Sequence, residues 1–149
     1  MRRIFKISYA VLVCSMLFIS ACSDNDSDIS GIANTKLSGK VFGTSFTAQG
    51  GKAFMSNEDI SINITNTNAT CNSDILNFEL AIAAYVKPEL GIYKNVNVIF
   101  NKKGTTPINY FQGTVEVVRI TSNEITVKLK ADSSADNFVE GFVTIPYCN

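Results

Sequence analysis

Histidine and tryptophan are absent from the 149-residue chain, proline occurs three times, and charged residues make up only 17% of it. Without histidine there is no side chain whose ordinary pKa lies near neutrality, no Ser-His or Cys-His nucleophile pair and no usual zinc site. Charge is balanced as well as scarce, with 13 Lys plus Arg against 13 Asp plus Glu. No basic stripe runs through either half, so the electrostatic footprint of nucleic-acid binding is missing. Long apolar runs are missing too: the one at residues 7–19 has 13 residues, against the roughly 20 that a membrane-spanning helix needs.

What is present begins with an address. Arg2, Arg3 and Lys6 form a cationic leader ahead of that apolar run, which is the order of a secretory signal peptide. The run ends in Ile19-Ser20-Ala21-Cys22, a branched apolar residue and two small ones before a cysteine, and this resembles the lipobox of bacterial lipoproteins. Cys14 follows Val13, which is too large for the position before the modified cysteine. The resemblance implies removal of residues 1–21, acylation of Cys22 and attachment to the membrane through its acyl chains. Each buried methylene contributes about 0.8 kcal/mol and stable anchoring takes more than one chain, which a triacylated cysteine provides.

Beyond Cys22, "SDNDSD" at residues 23–28 resembles the acid-rich export signal of surface-exposed Bacteroidetes lipoproteins. That implies an outer-membrane location facing outward, with a periplasm-facing orientation as the alternative. Asp24, Asp26 and Asp28 also have the spacing that opens a calcium loop, but Ile29 stands where glycine is needed and Thr35 where the bidentate glutamate belongs. Residues 22–35 therefore read as a lipidated, flexible acidic tether and residues 36–149 as a single domain. No metal or cofactor is expected.

Removal of the leader takes three cations with it, leaving 10 Lys plus Arg against 13 Asp plus Glu, a net charge of about −3. Of the four cysteines, Cys71 and Cys148 then remain in a chain that passes through an oxidising compartment, and a disulfide between them is expected.

The domain itself reads as strands. Leu37, Gly39 and Val41 alternate with polar residues before Gly43-Thr44, a pair suited to a hairpin turn that would set Val41 against Phe46 and Gly39 against Ala48. In "DISINIT", Ile60, Ile62 and Ile64 alternate with polar residues, the period of a sheet buried on one face. "ILNFELAIAAYV" reads as a strand from Leu76 onward, "VNVIF" as a strand with Val96, Val98 and Phe100 on one face, and Phe138 to Tyr147 as a core strand. "GTVEVVRITSNEITVKLKA" reads as a hairpin about Ser122-Asn123. It pairs Ile120 with Ile125 and Val118 with Val127, then slips phase and needs a bulge near Val117. About nine strands and no convincing helix predict an antiparallel β-sandwich or small open barrel.

"LSGKVFGTSFTA", "GIY", "GTVEVVRIT" and "VEGFVTIPYC", spread over residues 37–148, together resemble a group of small Bacteroidetes lipoproteins of uncharacterised function. This chain departs from them in carrying Val127-Lys128-Leu129 where glycine and phenylalanine are common, and the resemblance implies no catalytic residues.

The function expected is thus a non-enzymatic binding or accessory module taking a glycan, a peptide or a surface protein. Tyr85, Tyr93, Tyr110 and Phe111 are its candidate contact residues, since tyrosine offers an apolar ring with a polar tip; the plainer reading makes each a half-buried strand residue. A calycin-like carrier of a small apolar ligand and a structural subunit of a surface assembly are the alternatives. Glu79, Glu116 and Glu140 are the carboxylates a hydrolase would use, but no spacing sets two of them at a catalytic separation.

Overall fold

The computed structural model describes residues 30–148. The leader, the lipobox with Cys22, and Asp24, Asp26 and Asp28 lie outside the described residues, so lipidation and the tether before residue 30 rest on sequence alone.

Nine strands carry the fold: β1 (Ser38–Val41), β2 (Thr44–Thr47), β3 (Gly50–Ser56), β4 (Asp59–Thr65), β5 (Leu80–Val86), β6 (Gly91–Lys102), β7 (Ile108–Ile120), β8 (Glu124–Ser134) and β9 (Asn137–Cys148). They form one sheet in the order β2-β1-β9-β3-β4-β5-β6-β7-β8, and β8 pairs again with β9. Seven strands therefore close into a ring, with the β1–β2 hairpin attached to β9. The class is all-β, as the alternation predicts, and takes the barrel form. Among the described residues there is no α-helix.

The inner face follows the period of two. Ile60, Ile62 and Ile64 of β4, Ile82 and Ala84 of β5, Val98 and Phe100 of β6, and Val139, Val143 and Ile145 of β9 join one buried cluster. Phe46 and Phe100 are its largest fully buried side chains, so the described interior is filled by side chains in the manner of a small barrel.

Several local expectations shift. The first hairpin pairs Gly39 with Phe46 and Val41 with Thr44, so its turn is Phe42-Gly43, not Gly43-Thr44. Both turn residues have positive φ, 49° and 72°, the two-residue turn that matches strand twist. Phe42 accepts this conformation because its N–H donates to Asn137 Oδ1 at 2.8 Å and the Gly43 N–H to the Asp136 carbonyl at 2.8 Å. A shift of two in pairing leaves the inward face unchanged, and Val41, Phe46 and Ala48 are all buried.

The β7–β8 hairpin pairs Ile120 with Ile125 as expected, then Arg119 with Thr126 and Val117 with Val127. Val118 is the extra residue and is exposed, so the bulge falls one position from Val117 and Val118 does not face Val127. β5 starts at Leu80, not Leu76. Ile75–Asn77 is instead a 3₁₀ turn capped by Asp74, whose carboxylate accepts from the Leu76 N–H at 3.0 Å and from Asn77 Nδ2 at 2.8 Å. Leu76 stands 82% exposed.

Cys71 and Cys148 form the expected disulfide, with Cα atoms 5.5 Å apart. Its place is instructive. The ring closes between β3 and β9 through two parallel pairs, Ala53 with Tyr147 and Phe54 with Cys148, so the bridge lies at that seam.

The domain also begins before residue 36. Residues 30–35, read as tether, lie on it: Ile32 is fully buried, Ser30 Oγ donates to Glu116, and the Ala33 N–H donates to Glu140 at 3.0 Å. The Phe142 N–H bonds the Thr35 carbonyl and the Leu37 N–H bonds the Phe142 carbonyl, each at 2.8 Å. Gly141 permits this approach, since a Cβ there would lie 2.5 Å from the Thr35 oxygen.

Candidate functional site

β5 and β6 pair from Leu80 with Lys102 to Ala83 with Ile99, and there the ladder stops. Beyond it the β6–β7 pairing shifts register on either side of Val96, first with Asn95 as the extra residue of β6, left-handed at φ 57°, and then with residues 111–112 of β7 opposite Asn97 alone. Past Ala83 and Ile99 no pair joins β5 to β6. The gap is an open cleft of about 530 Å³ lined by Asp59, Tyr85, Val86, Lys87, Ile92, Tyr93 and residues 94–97.

Tyr85 continues the outward side of β5 set by Ala83, and Asn97 that of β6 set by Ile99, because Ile82 and Phe100 point inward and are fully buried. Tyr85 is 48% exposed. In register it faces Ser61 of β4, which faces Phe54 of β3. Ser61 is only 2% exposed between these two rings. Phe54 in turn lies under Lys52 Nζ, 5.8 Å from its ring centroid.

Tyr93 lines the cleft in a different role. Its ring packs against the core cluster, and its hydroxyl donates to the Glu89 carbonyl at 2.9 Å and lies 3.4 Å from that of Lys87. Burial, with Glu89 nearby, raises its pKa above the ordinary value of 10.0. Lys87 sits 2.9 Å from Asp59 and 3.7 Å from Glu58. The hydrogen bond to Asp59 outweighs a small desolvation cost and raises its pKa. At this exposure the pair tunes geometry more than stability.

Asn97 is the residue the alternation pattern did not single out. Its Nδ2 donates to Asn109 Oδ1 at 2.8 Å. Its own Oδ1 is shielded from solvent and has no hydrogen-bond partner, one of two such atoms among the described residues, with Asn66 Oδ1. In "VNVIF" it reads only as the polar side of a strand.

The four candidate aromatics are thus divided. Tyr85 and Tyr93 share the cleft; Tyr110 opposes Val98 and packs against the core, while Phe111 is 65% exposed on β7 and outside the cleft. Glu116 lies 4.0 Å from Lys128 and Glu140 lies 3.1 Å from Lys130, so both carboxylates are engaged with lysines and with residues 30–33. Among the described residues no group of three or more His, Cys, Asp or Glu side chains can hold a metal, and no helix is long and apolar enough to cross a membrane. The chain matches no family model, no curated protein and no solved structure.

Proposed function

We propose that the protein is a non-enzymatic binding module of the outer membrane, anchored by acyl chains on Cys22 and taking its ligand in the cleft beside Tyr85. The observation that carries this reading is the coincidence, in one open cleft, of a half-exposed aromatic ring and a shielded amide oxygen without a partner. Binding sites combine apolar surface with a few placed polar groups in this way. A filled interior supports the outer wall over the lumen as the recognition surface. The engagement of Glu116 and Glu140 by lysines and the N-terminal segment supports a structural use for those carboxylates.

Two measurements on intact cells test the reading. Proteinase treatment should remove a C-terminal tag from surface-displayed protein, and full protection would place the domain on the periplasmic side. A benzophenone amino acid in place of Lys94, at the cleft rim, should yield light-dependent adducts that the same group in place of Asp132, exposed on β8, does not. Equal or absent adducts from both positions would overturn the cleft as the recognition surface.

A further inference from the structure

We infer that the cleft ligand is a neutral oligosaccharide, with one pyranose ring stacked on Tyr85 and one of its hydroxyls bonded to Asn97; this rests on the cleft being the binding surface. Three features of the cleft select that chemistry.

The first is the amide. A shielded acceptor without a partner is costly, and a ligand that turns the Asn97 amide toward the cleft and supplies the missing bond recovers that cost. Asn109 leaves over one atom of the Asn97 amide. A hydroxyl suits whichever atom that is, because it both donates and accepts. A carboxylate or an ammonium suits only one.

The second is the ring. Tyr85 presents about half its surface to the cleft side of β5. The face of an aromatic ring is electron-rich, and the axial C–H groups on one face of a pyranose form a flat, weakly positive, apolar patch that complements it. Stacking and hydroxyl recognition are needed from one ligand within one cleft. A sugar ring carries both, with C–H groups on its face and hydroxyls around its rim.

The third is charge and backbone. Asp59, the cleft's carboxylate, is occupied by Lys87 at 2.9 Å. That leaves Lys94 as the exposed cation of the lining, too little to select a polyanion. A peptide added as a strand needs a row of free backbone groups. Here the β5–β6 ladder is open only beyond Ala83 and Ile99, and β5 ends at Val86, which offers too short an edge.

Affinity electrophoresis in native gels tests the inference. The panel is mannan, xylan, dextran and arabinogalactan as neutral polymers, with polygalacturonate as the anionic one, and the protein is the mature chain with Cys22 replaced by Ser. Retardation by at least one neutral polymer is expected. Tyr85→Ala and Asn97→Ala should each weaken it about tenfold, while Tyr85→Phe, which keeps the ring, and Phe138→Ala, an exposed ring on β9 away from the cleft, should retain it. Circular dichroism and thermal unfolding of each variant separate lost binding from lost fold.

No retardation by any neutral polymer, or retardation by polygalacturonate alone, overturns the sugar assignment. If adducts from position 94 persist in that case, the cleft still binds and only the ligand class is wrong. Retardation that Tyr85→Ala and Asn97→Ala leave unchanged overturns the cleft itself.

Discussion

At the scale of single residues, the chemistry of the cleft depends on groups whose neighbours come from distant parts of the chain. Tyr93 holds the connection between β5 and β6 by donating to main-chain carbonyls at Glu89 and Lys87, a bond only the neutral phenol can give. Its pKa is raised in the folded state, so the stability it contributes is fully present below the unfolded value near 10 and falls as pH rises through the folded one. Unfolding midpoints measured between pH 8 and pH 11 should therefore drop less steeply in Tyr93→Phe than in the wild type. At pH 8 the variant should be the less stable by about 1 kcal/mol for the lost hydrogen bond. Parallel pH curves would show that the phenol is not the titrating group. The sequence marks Tyr93 as a candidate contact residue for its ring and polar tip, not as a brace for the chain. Nothing in the local pattern announced the carbonyl contacts, because they depend on where β5 and β6 part.

At the scale of elements, the alternation of side chains was the strongest signal. It located the inward residues of β4, β6 and β9 correctly, because the period of two is a property of the extended backbone itself. It misjudged what covers the other face. Ser61, Asn63 and Thr65 of β4, read as the solvent side, are all buried. Ser61 lies between two aromatic rings, and Thr65 donates to the Thr67 carbonyl at 2.8 Å. Such cover is tertiary, and a strand pattern does not contain it. Turn position failed for a related reason, since the clamp on Phe42 comes from Asn137, 95 positions away.

The β7–β8 bulge was legible because the two apolar patterns slip phase within the hairpin. It also yields a test. Deleting Val118 would join Val117, Arg119 and Ile120 opposite Val127, Thr126 and Ile125 in unbroken register, every inward residue kept. The deletion should cost less than about 1.5 kcal/mol in urea unfolding, within the range of a tolerated repacking. Deleting Thr126 from the facing strand should prevent folding, because it turns the inward residues on one side of the gap outward.

At the scale of the whole molecule, the ring is held by unequal joints. The β8–β9 ladder runs through ten residue pairs, whereas the β3–β9 seam has two. The Cys71–Cys148 bridge sits at that weak joint and spans 77 residues. In the chain-entropy account it contributes about 4.5 kcal/mol. Replacing both cysteines by serine should lower the free energy of unfolding by up to that amount. In hydrogen exchange, the amides of β3 and the end of β9 should lose protection before those of β7 and β8. Uniform loss around the ring would mean that the bridge acts on the unfolded chain alone. The pairing of these cysteines was legible by elimination, but their position on the seam followed only from the strand order.

That order has a kinetic side. β9 is the last of the nine strands, yet β1, β3 and β8 all hydrogen-bond to it. Until it arrives, the earlier strands have neither a closing partner for the ring nor a docking edge for the first hairpin. Such a topology is rich in contacts between distant parts of the chain, which places its folding among the slow cases, on the order of milliseconds to seconds. It also leaves open sheet edges exposed in the interval, where unpaired strands invite aggregation. Exported as proposed above, the chain would meet this interval on every passage, and a holding chaperone on the far side of the membrane would act there.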